Sequence, residues 1–432
     1  MQQVELWMSI PFVVMLLTIA IAPLVVEHLW ESNRNKLIFV LAISVPTIII
    51  LSQFGLGGAI LHNMLYDYIP FIMLLLALFV VTGGINIKGD IMATPSVNTF
   101  ILGMGFIMAS FMGTTGAAML LIRPLLQINQ QRTHKVHTVL FFIALVANCG
   151  GVLTPLGDPP LFLLYLRGAP FEWFSSLLPE WAVVGLILLS LYLLTDRYFY
   201  AKEPLEARER DRSEQEPITI SGARNFLYLG MIILAVLFLN RTYIPAMRQE
   251  GAPFYVHFLR DIVLGVIIVL SLLTTKKEVR KANNFTWAPI LEVAILFVGI
   301  FVTMTPTMMY LNANAANLTL NTAREFYYAT GVLSSFLDNA PTAVAFHNVA
   351  EGLPDIDTSG YVASVPEAFL AAISLGAVFF GAMTYIGNGP NFMVKAIAEQ
   401  EGIKMPSFFG YILKFSLIVL FPVYILVQLI FF

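Results

Sequence analysis

Two acids carry the chemistry that the chain can offer from inside its apolar segments. Asp158 sits in Thr154-Pro155-Leu156-Gly157-Asp158-Pro159-Pro160, and Asp338 in Phe336-Leu337-Asp338-Asn339-Ala340-Pro341. A carboxylate at membrane depth costs about 2.5–3.5 kcal/mol on insertion scales, so it faces a cavity and has a use. There it can take up a proton or coordinate Na⁺. Oxygen donors stand beside both acids: Thr154, Thr384, Asn388, Asn391, Ser335, Asn339, Thr342, Thr114 and Thr115. With freed backbone carbonyls they can complete a shell for a hard cation. The plainer reading is that Asp158 and Asn388, or Asp338, cap the short helices that follow them. The two roles are compatible.

The words that hold these residues occur twice. Thr384-Tyr385-Ile386-Gly387-Asn388-Gly389-Pro390 repeats the pattern T-x-[LI]-G-[DN]-x-P of the first half. Gly and Pro together break a helix. Broken backbone at bilayer depth is tolerated only where protein or a polar cavity covers it. Ser110-Phe111-Met112 likewise matches Ser335-Phe336-Leu337, and it precedes its broken segment by 44 residues in one half and 49 in the other. The second half has Asn388 where the first has Asp158, and the first hairpin has Gly113-Thr114 where the second has Asp338-Asn339. Each half thus supplies one acid, from a different element.

Composition sets the class. The chain is 58% hydrophobic and 12% charged, against about 25% charged in soluble domains. Mean hydropathy is +0.79. This predicts an all-α polytopic membrane protein. No basic tract points to nucleic acid, and the single Cys149 has no intrachain disulfide partner. The start of the chain has no basic n-region, so the first apolar stretch reads as a retained span. Apolar stretches of spanning length fall near 6–26, 37–53, 69–86, 136–153, 180–198, 225–240, 259–275, 288–305, 364–383 and 409–431. Residues 98–126 and 324–350 break in the middle into arms of about a dozen residues, too short to cross, and read as re-entrant hairpins. Broken helices follow at 136–167 and 364–398. The polar segment 199–224 reads as a flexible cytoplasmic linker between repeats 1–198 and 225–432.

The basic cluster Lys276, Lys277, Arg280 and Lys281 marks a cytoplasmic loop. Threading outward from it places both termini outside. Of 24 Lys and Arg, all but Arg167, Arg241, Arg248, Arg260 and Arg324 then fall in or next to cytoplasmic loops. Five spans per half make the halves run in opposite senses: two inverted repeats, each with five spans (one broken) plus a re-entrant hairpin.

Other polar groups have two readings each. Glu292 is a proton relay or a helix N-terminal acid. Arg123 and Lys395 snorkel to the cytoplasmic face or hold an anionic substrate. His134 and His137, spaced i,i+3, lie in a basic loop without nearby acids, which disfavours a metal site. His347 reads as packed or solvated rather than as a relay. Trp173, Trp181 and Trp287 read as interface anchors.

On the words SSFLDNAPTAV and NCGGVLTPLGDPP, the chain resembles the ion transporter superfamily. Its members include bacterial Na⁺/H⁺ antiporters of the D type, arsenite permeases and citrate–metal symporters. The nearest likeness is to a bacterial group labelled both as sodium:proton antiporters and as citrate transporters. The resemblance implies a homodimer with scaffold and transport domains and elevator-type movement. It places the ion site at Ser335, Asp338, Asn339 and Thr342 of the second hairpin. It adds Asn148, Thr154, Gly157 and Asp158 in the first break, and Thr384, Gly387, Asn388 and Asn391 in the second. D-type antiporters tend to carry a D-N pair in the first hairpin too, where this chain has Gly113-Thr114-Thr115. Dicarboxylate carriers place Ser-Asn-Thr at each hairpin tip, a word this chain lacks.

These readings predict a secondary active transporter of the inner membrane, not an enzyme, with no cofactor. Na⁺/H⁺ antiport, with Na⁺ at Asp158 and Asp338, is the first expectation. Cation-coupled uptake of citrate or another carboxylate is the alternative. An intramembrane aspartyl hydrolase is disfavoured, because neither acid lies in a G-x-G-D or Y-D word.

Overall fold

The computed structural model describes residues 4–30, 32–248, 252–354 and 360–432. Helices dominate, as a chain that must satisfy its backbone inside lipid requires. Among the described residues, seven helices are long and apolar enough to cross a membrane: Leu6–Pro23, Asn33–Gln53, Gly57–Thr82, Pro95–Met112, Phe171–Ala201, Ala288–Ala313 and Phe408–Phe431. Shorter apolar helices include Thr114–Ile128, Arg224–Phe238 and Leu259–Thr274. Outer helices present Ile38, Leu41, Ile48 and Ile49, or Leu186 and Leu194, to the surroundings. Lipid is as apolar as these side chains, so their exposure carries no penalty there.

Each expected span coincides with a helix, and two boundaries differ. The helix expected near 69 begins at Gly57 and turns through a π-helical stretch, Met64–Tyr68. The polar residues His62, Tyr66 and Asp67 hide that extension from an apolar reading. The first arm of the first hairpin, Pro95–Met112, is longer than a dozen residues and has spanning length. The second hairpin keeps the expected short arms, Ala323–Ser334 and Asn339–Glu351.

The linker is not a flexible tether. It folds into a helix, Leu205–Ser213, and a strand, Glu216–Ser221, which pairs antiparallel with Asn86–Asp90 of the first half. Asp211 accepts the backbone N–H of Ala93 at 3.0 Å, and Glu203 accepts those of Thr133 and His134 at 2.9 and 2.8 Å. A second two-stranded ribbon joins Tyr361–Val362 to Val365–Pro366. The fold is therefore helical with two small ribbons.

Two of the expected interface tryptophans are internal. Trp173 is buried and donates to Glu367 at 2.9 Å, which ties the segment after the first break to the start of the second broken helix. Trp181 stacks on Phe106 at 4.4 Å and donates to the Gly150 carbonyl at 3.2 Å. Trp287 is exposed.

Candidate functional site

Two hairpins and two broken helices meet around Asp158. The first hairpin turns at Gly113, whose φ of +80° is a conformation that a side chain would strain. This lets helix Thr114–Ile128 begin against the first break, where the Thr114 N–H donates to the Gly157 carbonyl at 2.7 Å. A Cβ on Gly157 would collide with the Gly151 carbonyl, so only glycine lets the two strands of the break approach this closely.

The two breaks are built alike. The hydroxyl of Thr154 donates to the Ser110 carbonyl, and that of Thr384 to the Ser335 carbonyl at 2.5 Å. Thr154 also accepts the Leu156 N–H, and Thr384 those of Ile386 and Gly387. Each threonine thus clamps a break to the tip of its hairpin. Asp158 and Asn388 then adopt nearly the same extended backbone, φ/ψ −145°/144° and −149°/140°, just before helices Pro159–Leu166 and Gly389–Gln400. Pro159-Pro160 and Pro390 open these helices where a missing N–H does no harm. The positive ends of both helix dipoles therefore lie at the site.

The Asp158 carboxylate is the hub. Its Oδ1 accepts from Thr114 Oγ1 at 2.6 Å and Asn388 Nδ2 at 3.1 Å, and its Oδ2 from Asn339 Nδ2 at 2.5 Å. Asn388 Nδ2 also faces Asn148 Oδ1 at 3.2 Å, and Asn148 Nδ2 donates to Asn391 Oδ1 at 2.7 Å. Asn391 in turn donates to the carbonyls of Gly381 and Thr384. Asp158 is 1% exposed, and none of the ion pairs among the described residues involves it. Beside it, the buried Asn339 Oδ1 has no hydrogen-bond partner. A buried carboxylate surrounded by neutral donors, next to an unsatisfied oxygen, suits a proton or a hard cation.

The predicted residues divide into three groups. Asp158, Thr114, Asn339, Asn388, Asn148 and Asn391 form one bonded cluster. Thr154, Thr384, Ser335, Gly157 and Gly387 hold the backbone of the breaks. Asp338, Thr342, Thr115 and Glu292 stand aside. Asp338 Oδ1 caps its own helix through the Ala340 N–H at 3.0 Å, and Thr342 Oγ1 bonds the Asp338 carbonyl at 2.8 Å. The capping reading thus falls on Asp338; Asp158, which makes no side-chain cap bond, escapes it. Asp338 still neighbours the cluster, because the adjacent Asn339 touches Asp158. Thr115 lines a 70 Å³ apolar cavity between the first hairpin and Pro289, Ile290 and Val293.

Several of the other polar candidates have partners elsewhere. Glu292 bonds Lys36 at 2.6 Å, as a structural ion pair rather than a relay to the cluster. Lys395 pairs with Glu399 at 2.8 Å. His137 bonds Asp196 at 2.8 Å, and Asp196 also takes Arg132 at 2.7 Å, which explains the histidine without a metal. The buried His347 donates through Nε2 to the Ala363 carbonyl at 3.0 Å. Sequence reasoning missed Ser110, whose hydroxyl donates to Gly150 O at 2.5 Å and whose carbonyl receives Thr154. Its place in the repeated Ser-Phe word was the available signal.

A family model described as "Putative citrate transport" matches residues 1–432. The chain belongs to this family. The match fits the resemblance to the ion and citrate transporter group, and with the seven long apolar helices it makes the chain a multi-pass membrane protein of a citrate-transport family. No curated protein matches the chain.

Proposed function

We propose that the protein is a secondary active transporter that couples a cation, Na⁺ or H⁺, to the uptake of citrate or a similar carboxylate. The observation that carries this reading is the buried Asp158 carboxylate, held among the described residues only by Thr114, Asn339 and Asn388, with Asn339 Oδ1 unpartnered beside it. The coupling cation binds at that cluster. Family membership favours a carboxylate as cargo.

The clamps at Thr154 and Thr384 support a reading of 1–198 and 225–432 as inverted repeats around one centre. In the threading set by the basic loop, both termini lie outside an inner membrane. The resemblance adds a homodimer and elevator movement. Na⁺/H⁺ antiport is the second reading. It is favoured by the lack of any Lys or Arg among the described residues bonded to Asp158.

The deciding experiment uses proteoliposomes with an imposed Na⁺ or pH gradient. Gradient-driven citrate accumulation that Asp158→Asn abolishes supports symport. Na⁺-dependent collapse of a pH gradient without any carboxylate uptake would replace symport by antiport.

A further inference from the structure

A second polar site lies at the far end of helix Pro159–Leu166. A cavity of 620 Å³ opens there, a size typical of small-molecule sites. Arg167 ends that helix. Arg241 follows helix Arg224–Phe238, and Arg260 opens helix Leu259–Thr274. Three arginines from separate stretches of chain thus line one cavity, with His62, His257 and, among the described residues, a single lining carboxylate, Asp261.

The three share an oddity in sequence. They are among the five basic residues that fall outside the cytoplasmic loops in the charge threading. Arg260 stands at the opposite end of its helix from the basic loop at 276–281. The cavity therefore faces away from that loop.

Arg260 is the informative member. Its side chain is 8% exposed, yet its Nε makes no hydrogen bond. Asp261 Oδ1 stands 3.7 Å away, beyond hydrogen-bond range, and is itself unpartnered. Among the described residues the guanidinium makes one hydrogen bond, a long one to Tyr165 Oη at 3.4 Å. Buried guanidinium groups are normally satisfied by hydrogen bonds. Here the guanidinium, held over the Phe162 and Tyr165 rings at 5.4 and 5.6 Å, keeps an unbonded donor beside an arginine-lined cavity, a group that can pair with a carboxylate.

The geometry points to this cavity as an anion-binding site that captures a di- or tricarboxylate substrate before it meets the cation centre. This rests on the carboxylate-transport reading. A carboxylate cargo needs cationic partners, and no Lys or Arg among the described residues bonds Asp158. Nine residues of helical rise, roughly 13 Å, separate Arg167 from Asp158. The anion and cation sites are distinct but lie on one short helix.

The test combines citrate binding to the purified full chain by calorimetry with citrate uptake in proteoliposomes. Arg167→Gln with Arg241→Gln should weaken citrate binding and raise KM by about tenfold or more while kcat changes little. Arg260→Gln should do the same, with partial rescue in Arg260→Lys. Asp158→Asn should lose uptake yet keep citrate binding. If Arg260→Gln does not fold, the half-buried Arg167 and exposed Arg241 still provide the test. Wild-type uptake with an unchanged KM in the double variant overturns the capture site alone. No citrate binding or uptake by wild type overturns the transport reading and the capture site with it. An anionic lipid that copurifies with wild type, is lost from the double variant and leaves KM unchanged would identify a lipid headgroup site instead.

Discussion

Asp158→Asn separates stability from transport. The carboxylate accepts three hydrogen bonds, and each bond to a charged group contributes about 1.5–3 kcal/mol. The asparagine carbonyl can keep Thr114 and Asn388. Its amino group then faces Asn339 Nδ2, donor against donor. Asn339 holds the remedy: its Oδ1 is unpartnered, so a half-turn of the amide brings an acceptor into place. One bond is reversed rather than lost. The substitution also removes an unpaired buried charge, whose desolvation costs several kcal/mol. The variant should therefore be as stable as wild type, or up to about 2 kcal/mol more stable in the absence of cations.

The ligand response should disappear instead. A cation that binds only the folded state stabilises it by about 2.7 kcal/mol at a hundred times its dissociation constant. Thermal unfolding of the purified protein, in NaCl against choline chloride at equal ionic strength, reads both quantities. Wild type should melt higher in NaCl if Na⁺ is the coupling ion, and Asp158→Asn should melt equally in both salts. A variant that keeps the Na⁺-dependent shift would refute Asp158 as the ion ligand. A variant about 3 kcal/mol less stable than wild type would refute the argument from unpaired charge.

Gly157→Ala should destabilise by about 3 kcal/mol or more, since the added methyl meets the Gly151 carbonyl rather than a movable side chain; the melting temperature reads this. Gly387→Ala, with its Cβ 2.7 Å from the Gly381 carbonyl, should be milder in the same assay. Trp181→Phe should cost about 1 kcal/mol of denaturation free energy through its lost bond to Gly150. Burial opposes the charge on Glu203, but the N–H groups of His134 and Thr133 and the Arg132 guanidinium outweigh it and hold the carboxyl below its usual 4.5. Its contribution to stability is complete above that value and is lost as pH falls through the lowered one. Glu203→Gln should therefore flatten the acid limb of a stability–pH curve measured between pH 6 and pH 3, to the order of one carboxylate.

Much of the centre was legible because it depends on residues that break helices. Gly157 and Pro159, like Gly387 and Pro390, announce their effect in any apolar run, and the same word predicted the same backbone twice. What was not legible depends on partners distant in sequence. Nothing near Glu216–Ser221 reveals that Asn86–Asp90 waits as a strand edge, so a polar linker reads as a tether. Trp181 looks like an interface residue until Phe106 and Gly150 are brought against it. Asp338 and Asp158 look alike as acids before a short helix. Only the fold decides that one turns to its own backbone and the other away from it. The three cavity arginines were visible as exceptions to the charge pattern, but their convergence was not.

The unequal chemistry of the two halves follows from their equal geometry. Because the breaks share one backbone form, position 388 points its side chain at Asp158, with Asn388 Nδ2 3.1 Å from Oδ1. A second carboxylate there would place two negative charges in contact within a buried site, and both could not remain charged. An amide at that position donates instead and holds the single charge in place. The same argument applies at Asn339, which meets the other carboxylate oxygen. The Asp-Asn order of the second hairpin puts the amide toward Asp158 and leaves Asp338 to the helix end. One full charge, two amides and one hydroxyl then form a site whose occupancy by a single monovalent cation restores neutrality. Neutrality gives a mechanical advantage as well. A carrier whose centre bears a charge only when empty moves through the bilayer more easily when loaded, a preference that favours exchange of one cation for another, because a symporter must also return with its centre empty.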